Sequence, residues 1–260
     1  MVKVFYSLSE WIEFRNNSKE FENKSIGFVP TMGNLHDGHK SLMIRCVEEN
    51  DIGILSIFTN PTQFQKKDDL ENYPKTPNED IKMAEKVGIQ YVIIPKYDDI
   101  YPDDYAYKIV NTSDLASIME GKTRPGFFDG ILTVVLKLFM IVKPNKAYFG
   151  EKDYQQYLLV KGLSEAFFLN IDIIPCPIMR NDKGFALSSR NNRLNKEQTE
   201  LALNFPKILR SSKNCEEAKS KLENWGIKVN YIEEYQGRRF GSIFIDNIIL
   251  IDNVKLTSCT

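Results

Sequence analysis

The chain has two histidines, His36 and His39, and both lie in the segment PTMGNLHDGH, between a predicted strand and a predicted helix. Side chains three residues apart on a helical turn project from one face, beside backbone N–H groups that have no partner within the helix. Imidazole can donate hydrogen bonds to phosphoryl oxygens, and the helix dipole adds positive potential. Gly33 and Gly38 let the backbone approach a ligand closely. The pattern predicts a phosphate-binding site.

Two other interpretations of the histidine pair are open at this point. Either ring could only cap the helix or pack against it. A zinc site would need further histidine or cysteine ligands, and the chain has no other histidine. The cysteines are far apart and form no CxxC pair, at Cys46, Cys176, Cys215 and Cys259. This scatter disfavours zinc and indicates reduced thiols, as in a cytoplasmic protein.

Two later blocks carry side chains that suit the charge of a phosphoryl group. Lys152, in FGEKDYQQ, lies at the start of a predicted helix and supplies a mobile cation. In ALSSRN, Ser188 and Ser189 precede Arg190, whose guanidinium offers several fixed donors to phosphate. Taken alone, GEKD could be a solvated turn and ALSSRN an ordinary serine-rich turn.

Two further blocks are polar without resembling phosphate binders. In FTNPTQF, the amide of Gln63 offers a donor and an acceptor, which suits an acid that carries hydroxyl groups, although Asn60 and Gln63 could simply brace a turn. In YPKTPNED, Glu79 and Asp80 begin a predicted helix, where acidic side chains commonly just complement the dipole. The pattern alone favours a structural role for this acidic pair.

The elements that position these blocks alternate between strand and helix. Apolar runs predict strands at 26–30, 52–58, 91–95, 147–149 and 171–175. Helices are predicted after a cap at Ser7 or Ser9 and at 37–50, 79–87, 131–142 and 153–168. This alternation predicts an α/β fold with a Rossmann-like, doubly wound parallel sheet. The carboxyl ends of its strands would carry the site.

The pattern changes after about residue 179. Helices are predicted at 196–211 and 215–225, a strand at 227–232, and a hairpin that turns at Asp246 and Asn247 in SIFIDNIILI. We therefore expect a Rossmann-like domain at 1–178 and a smaller α+β domain at 179–260. No internal repeat or long linker separates the two.

Composition excludes several classes of protein. Thirty-four basic residues nearly balance 35 acidic ones, so no overall field recruits nucleic acid or an anionic membrane. The most apolar run, 131–142, contains a lysine and is shorter than the roughly 20 residues that a membrane helix needs. The first residues lack the pattern of a signal peptide. We expect small-molecule substrates, with neither nucleic acid nor membrane as a partner.

The HxGH pattern resembles the signature of the nucleotidyltransferase superfamily that includes the class I aminoacyl-tRNA synthetases. The longer string VPTMGNLHDGH, with the later blocks in matching order from about residue 29 to 194, resembles the pantothenate synthetase family. The resemblance implies a fold of the HxGH nucleotidyltransferase type, with ATP and Mg²⁺, pantoate and β-alanine as ligands. It also implies a homodimer.

The same resemblance assigns roles to residues of this chain. Catalytic roles are implied for His36, His39, Lys152 and Arg190. Nucleotide contacts are implied for Met32, Gly33, His36, Gly38, His39, Gly150, Glu151, Lys152, Asp153, Met179, Leu187, Ser188, Ser189 and Arg190. Gln63 and Gln156 would bind the acid substrate, and Glu79 with Asp80 would bind magnesium. Phe127 stands where the family usually has histidine, so any contact made by that imidazole is absent here.

The implied reaction has two steps. The pantoate carboxylate attacks the α-phosphorus of ATP to give pantoyl adenylate and pyrophosphate, and the β-alanine amine then displaces AMP. Two alternatives remain at this point. A small HxGH adenylyltransferase would not depend on an amine, and a non-catalytic nucleotide-binding protein would bind ATP without forming AMP.

Overall fold

Two sheets organise the chain, of which a computed structural model describes residues 1–65 and 67–256. The strands of the large sheet are β1 (Lys3–Phe5), β2 (Ile26–Thr31), β3 (Ile52–Ile57), β4 (Tyr91–Ile93), β5 (Lys146–Gly150) and β6 (Asp172–Cys176). The strands of the small sheet are β7 (Lys228–Tyr235), β8 (Arg238–Ile245) and β9 (Ile248–Lys255).

Helices surround the large sheet and cover one face of the small one. They are α1 (Leu8–Asn17), α2 (Asp37–Glu48), α3 (Lys67–Glu71), α4 (Pro77–Val87), α5 (Tyr97–Ile100), α6 (Asp114–Ser117), α7 (Met119–Thr123), α8 (Phe127–Val142), α9 (Tyr154–Ala166), α10 (Lys196–Ala202), α11 (Asn204–Ser211) and α12 (Cys215–Asn224). Short 3-10 turns lie at Lys19–Phe21, Pro61–Gln63, Glu151–Asp153 and Ser189–Arg193.

The large sheet is parallel throughout and has the strand order β1-β4-β3-β2-β5-β6. Strand order therefore reverses between β2 and β5, which are neighbours although they are far apart in the chain. Loops that leave the carboxyl ends of two such strands run in opposite directions and leave a crevice between them. The histidine segment follows β2 and the GEKD segment follows β5, so the topology brings both blocks to this crevice.

Both faces of the sheet are buried, as the apolar strand sequences predict. Phe28 and Ile54 face a cluster that includes Trp11 and Phe139. Their neighbours in sequence, including Val29, face a second cluster on the opposite side. This alternation confirms the predicted doubly wound α/β fold.

The C-terminal part has an antiparallel sheet, β7-β8-β9, and a core of its own, as the predicted α+β character requires. Phe205 and Leu209 of α11 pack in that core with Ile243 of β8. The hairpin between β8 and β9 turns at Asp246 and Asn247, because Ile245 pairs with Ile248, and this prediction is confirmed.

The structure differs from the predicted elements in three places. Strand β1 was not predicted, since three residues are too few for a pattern. Helix α8 begins at Phe127, four residues before the predicted start, after Gly126 in the left-handed region at φ 77°. The predicted helix 196–211 is two helices that meet at Leu203, since Pro206 has no N–H to donate to the carbonyl of Ala202.

Within the described ranges, no helix is both long and apolar enough to cross a membrane. Cys46, Cys176 and Cys215 are free thiols. Burial raises the pKa of the Cys46 thiol to about 12, so this thiol stays protonated. The remaining cysteine of the sequence, Cys259, lies outside the described residues.

Candidate active site

A cavity of about 260 Å³ opens at the carboxyl ends of β2 and β5. Most of the predicted nucleotide contacts line it, namely Met32, His36, Gly38, His39, Gly150, Lys152, Asp153, Met179, Leu187, Ser188, Ser189 and Arg190. The two predicted acid-binding side chains, Gln63 and Gln156, line it as well. Gly33 and Glu151 are not among the lining residues. The structure therefore brings together residues as far apart in sequence as Met32 and Arg190.

The two histidines lie at the start of α2. His36 is the N-cap, and its Nδ1 accepts a hydrogen bond from the backbone N–H of Gly38 at 3.1 Å. The Nδ1 of His39 accepts from the backbone N–H of His36 at 3.4 Å, and the ring centroids lie 4.1 Å apart. Capping and ligand binding are thus not alternatives here. Each ring caps the helix through Nδ1 and keeps Nε2 for the cavity.

Both imidazoles are neutral near pH 7. Burial, followed by the charge of Lys152, lowers the pKa of His36 to about 4. Burial, His36 and Lys152 together lower the pKa of His39 to about 3. Because each Nδ1 accepts a backbone hydrogen bond, the single proton of each neutral ring lies on Nε2. Two N–H donors therefore face the cavity without a full positive charge.

The structure gives each of the two glycines a role of its own within the protein, and close approach of a ligand to them stays a prediction. A Cβ on Gly38 would come within 2.8 Å of Cε1 and 2.9 Å of Nδ1 of His36, so Gly38 makes room for that ring. Gly33 has φ +81° and does not line the cavity. Its contribution is the turn that leads from β2 into α2.

Asp80 holds that turn from the side of α4. Its side chain is buried, and its Oδ2 and Oδ1 accept from the backbone N–H groups of Asn34 and Leu35 at 2.9 and 2.8 Å. Thr76 also donates to Oδ1, at 3.1 Å. Glu79 is exposed, and neither acid lines the cavity. The structure thus gives Asp80 a positioning role, and magnesium binding by the pair stays a prediction.

The described residues contain no group of three or more histidine, cysteine or acidic side chains that could hold a metal ion. The zinc interpretation of the histidine pair therefore receives no support from the described part of the chain. Asp153 is an acidic side chain of the cavity wall, and its Oδ1 lies 3.8 Å from Nζ of Lys152.

The segment Ser188–Arg190 forms another part of the cavity wall. It follows a short hairpin-like bend in which Arg180 pairs with Ala186 and Leu187 N–H donates to the carbonyl of Met179 at 3.0 Å. Ser188 caps the 3-10 turn that carries Arg190, since its Oγ accepts from the Arg190 N–H at 3.2 Å. Ser188, Ser189 and Arg190 therefore line the same cavity as the two histidines.

Gln63, in the cavity wall, is held in place by a buried asparagine. Asn60 is 1% exposed, and its Nδ2 donates to Oε1 of Gln63 at 3.1 Å and to the carbonyl of Gly130 at 3.2 Å. The carbonyl of Gln63 accepts from Arg124 at 3.1 Å. Asn60 therefore braces the turn, as one interpretation of FTNPTQF held, and Gln63 is fixed at the cavity wall.

Comparison with known proteins shows to which family the chain belongs. The family model described as pantoate-beta-alanine ligase matches residues 3–258. The chain belongs to the pantoate–β-alanine ligase family. A pantothenate synthetase of Coxiella burnetii (strain Dugway 5J108-111) is 53% identical over 254 residues, which cover 98% of this chain and 97% of that protein. One of Legionella pneumophila (strain Corby) is 48% identical over 255 residues, which cover 98% of this chain and all of that protein.

Solved structures of pantoate–β-alanine ligases share the fold. The Francisella tularensis ligase, complexed with beta-gamma ATP and β-alanine, has a TM-score of 0.93 and 42% sequence identity, with 98% of each chain covered. The Thermus thermophilus pantothenate synthetase has a TM-score of 0.89 and 28% identity, with 98% of this chain and 99% of that chain covered. The family's Rossmann-like fold and ligase class are therefore those of this chain.

Sequence reasoning missed several lining residues of this pantoate–β-alanine ligase. Tyr73 is one: burial raises the pKa of its hydroxyl, which lies beside Ser189 and Arg190. Arg124 is another: it lines the cavity, and its Cζ lies 3.5 Å from the ring centroid of Phe127, the residue that stands where the family usually has histidine. An aromatic residue such as Tyr73, at the start of the YPKTPNED block, resembles an ordinary core position, so its residue type gave no signal of a role in the site.

Proposed function

We propose that this chain condenses (R)-pantoate with β-alanine at the expense of ATP, through a pantoyl-adenylate intermediate, to give pantothenate, AMP and pyrophosphate. The observation that carries this proposal is the composition of the cavity at the ends of β2 and β5. The cavity is lined by two neutral imidazole donors with Lys152 and Arg190, and also by the amides of Gln63 and Gln156. The first set suits a triphosphate and the second suits a hydroxy acid.

The first step needs little chemistry from the protein beyond alignment and charge stabilisation. An oxygen of the pantoate carboxylate forms a bond to the α-phosphorus, and the bond from that phosphorus to the bridging oxygen breaks, so pyrophosphate leaves with the electron pair. Negative charge grows on the phosphoryl oxygens, which the Nε2–H groups of His36 and His39 and the cations of Lys152 and Arg190 would stabilise. Loss of one such group typically lowers the rate about 10²- to 10³-fold.

The second step follows at the acyl carbon. The β-alanine nitrogen forms a bond to that carbon, the bond to the AMP oxygen breaks, and the nitrogen loses a proton. A covalent intermediate on the protein is not needed. The buried thiols of Cys46 and Cys176 have raised pKa values and do not line the cavity, which supports direct transfer between the bound substrates.

Magnesium belongs to this proposal through the chemistry of ATP. Mg²⁺ usually binds one or two carboxylates together with substrate phosphates. Glu79 and Asp80 do not fit that role as a pair, because Asp80 uses both oxygens on the neighbouring turn and Glu79 is exposed. We propose that the cation enters with the triphosphate, and we assign no catalytic step to this acidic pair.

The wider organisation is also proposed. Residues 1–178 would bind ATP and pantoate, and residues 179–260 would form a lid that carries Ser188, Ser189 and Arg190. The three described cysteines are free, which supports a cytoplasmic location.

Two copies would associate as a homodimer, and sedimentation velocity would give twice the mass of the chain. A chain mass at micromolar concentration would contradict the homodimer.

The deciding assay separates the two steps. Pyrophosphate should appear only when ATP and pantoate are both present, and AMP and pantothenate should accumulate once β-alanine is added. A simple adenylyltransferase would show no dependence on the amine. A non-catalytic nucleotide-binding protein would bind ATP and release neither product. Either result would refute the ligase proposal.

A variant of His39 gives a second check of the proposed function. His39→Ala should lower the rate of adenylation about 10²-fold or more while the circular dichroism spectrum stays unchanged, because one phosphate donor is lost. His39 would be removed from the mechanism by an unchanged turnover number in a folded variant.

A further inference from the structure

One side chain of the small sheet contacts the segment that carries Lys152. Asn253, on β9, is 1% exposed, and its Nδ2 donates to the carbonyl of Glu151 at 2.8 Å and to the carbonyl of Lys152 at 3.1 Å. Both carbonyls belong to the 3-10 turn between β5 and α9. A single amide from the C-terminal sheet thus fixes two successive peptide groups at the edge of the cavity.

A buried arginine holds that amide in place. Arg238, on β8, is 4% exposed and donates through Nη1 to Oδ1 of Asn253 at 2.6 Å. Its Nη2 lies 2.8 Å from Oε1 of Glu151, and its Cζ lies 4.0 Å from the ring centroid of Tyr154. Because Oδ1 accepts from a guanidinium, the amide cannot rotate without losing a charge-assisted hydrogen bond. The two donors of Nδ2 are therefore aimed at the turn.

This contact explains why Glu151 does not line the cavity although its neighbours do. Its side chain pairs with Arg238, whereas Lys152, the next residue of the turn, lines the cavity together with His36 and His39. The charge of Lys152 also contributes to the lowered pKa of both histidines. A shift of the turn would move this cation relative to a bound phosphate.

We propose that Asn253, held by Arg238, is a positioning residue for adenylation that acts through Lys152. This inference rests on the proposed function, since it assumes that Lys152 stabilises the transferring phosphoryl group. A misplacement of about 1 Å in such a group can cost about 10²-fold in rate. The C-terminal sheet then contributes to catalysis without touching a substrate.

The test is a double-mutant cycle, measured as pantoate-dependent pyrophosphate release in single turnovers with excess enzyme. Asn253→Ala should lower the adenylation rate constant about 10- to 100-fold, with a much smaller change in the KM for pantoate. In the Lys152→Ala background the same substitution should change the residual rate less than about twofold, because two residues that act as one unit are not additive.

A second variant and a control separate positioning from folding. Asn253→Asp keeps the size and the acceptor for Arg238 but places a carboxylate against two carbonyls, so adenylation should slow as in Asn253→Ala. Ser242→Ala removes an equally buried side chain of β8 whose hydroxyl contacts Asn230 at 3.3 Å and not the turn. It should keep the wild-type adenylation rate.

The outcomes also distinguish this inference from the proposed function. Absence of pantoate-dependent pyrophosphate release in the wild type would refute the function itself. An active wild type with equal fold losses for Asn253→Ala in both backgrounds would overturn the inference alone. A folded Asn253→Asp with the wild-type rate would overturn it too.

Discussion

The neutral state of the two imidazoles follows from how each ring is used. Nδ1 of His36 and Nδ1 of His39 both accept backbone hydrogen bonds at the start of α2. A protonated ring would have to give up that acceptor and place a second charge beside Lys152. Because the rings stay neutral, the partial positive charge at the N-terminus of α2 remains available to attract an anionic ligand.

At the residue scale, the lowered pKa values predict how stability depends on pH. An unfolded histidine titrates near 6.5, whereas the folded values are about 4 for His36 and about 3 for His39. Below pH 6.5 the unfolded chain takes up protons that the folded chain does not, so the free energy of unfolding falls as pH falls toward 4.

The comparison that isolates this effect uses a variant with His36→Gln and His39→Gln. Between pH 6.5 and 4.5 the wild type should lose on the order of 2 to 4 kcal/mol more of its unfolding free energy than the variant. Urea titrations at several pH values provide the measurement. Parallel pH dependences of the two proteins would contradict the assignment of neutral rings.

The close contact at Gly38 gives a second prediction at this scale. Gly38→Ala would place a Cβ within 2.8 Å of the His36 ring and should lower the adenylation rate about tenfold or more, because the ring must move. Gly162→Ala is the matched control: this glycine lies in α9, where an added Cβ would meet no other group within 4 Å, so the change should be neutral or slightly stabilising. Equal effects of the two substitutions on rate would refute the steric argument.

At the scale of elements, α4 supports the turn between β2 and α2 through a single carboxylate. Asp80→Asn replaces one acceptor with a donor that faces a backbone N–H, and it should cost about 1–3 kcal/mol. For a chain of this size the Tm should fall by about 2–4 °C for each kcal/mol. Differential scanning calorimetry provides the measurement.

Glu79→Gln is the control for Asp80→Asn and also tests the magnesium prediction. Glu79 is exposed, so its substitution should leave Tm within about 1 °C of the wild type. The magnesium concentration that gives half-maximal adenylation should also stay unchanged. A large increase in that concentration would restore Glu79 as a metal ligand and contradict our account of this pair.

Across the whole molecule, β9 joins parts of the cavity that the large sheet alone does not connect. Asp252 accepts two hydrogen bonds from Arg180, at 2.7 and 2.8 Å, and anchors the bend before Ser188–Arg190. The next residue, Asn253, contacts the turn that carries Lys152. Two consecutive side chains of one strand therefore hold two separate segments of the cavity wall.

This arrangement predicts a large stability effect at Asp252. Asp252→Ala leaves the partly buried guanidinium of Arg180 without its carboxylate partner, which should cost about 3–5 kcal/mol and lower Tm by about 6–20 °C. Glu200→Ala breaks an ion pair with Lys183 of similar length, 2.8 Å, but both side chains are more than half exposed. That change should lower Tm by less than about 3 °C, and a similar loss in the two variants would contradict the anchor role.

The sequence predicts the parts of this site whose residue types are rare or whose context is local. His36, Lys152 and Arg190 each follow a recognisable strand or turn, and their blocks are short. Arg238 and Asn253 were not predicted, because polar residues on an antiparallel strand look the same whether they face solvent or a buried turn a hundred residues earlier. The family resemblance implies a nucleotide contact for Glu151, which stays a prediction; the ion pair of its side chain with Arg238 is a long-range contact that the GEKD block does not reveal.

We expect the phosphates of ATP to bind at the corner where β2 meets α2. A crystal structure with a non-hydrolysable ATP analogue tests it most directly. We expect phosphate oxygens within about 3.2 Å of Nε2 of His36 or His39, with Lys152 on the same phosphates. A nucleotide bound elsewhere, or a corner filled by the protein's own side chains, would contradict the account.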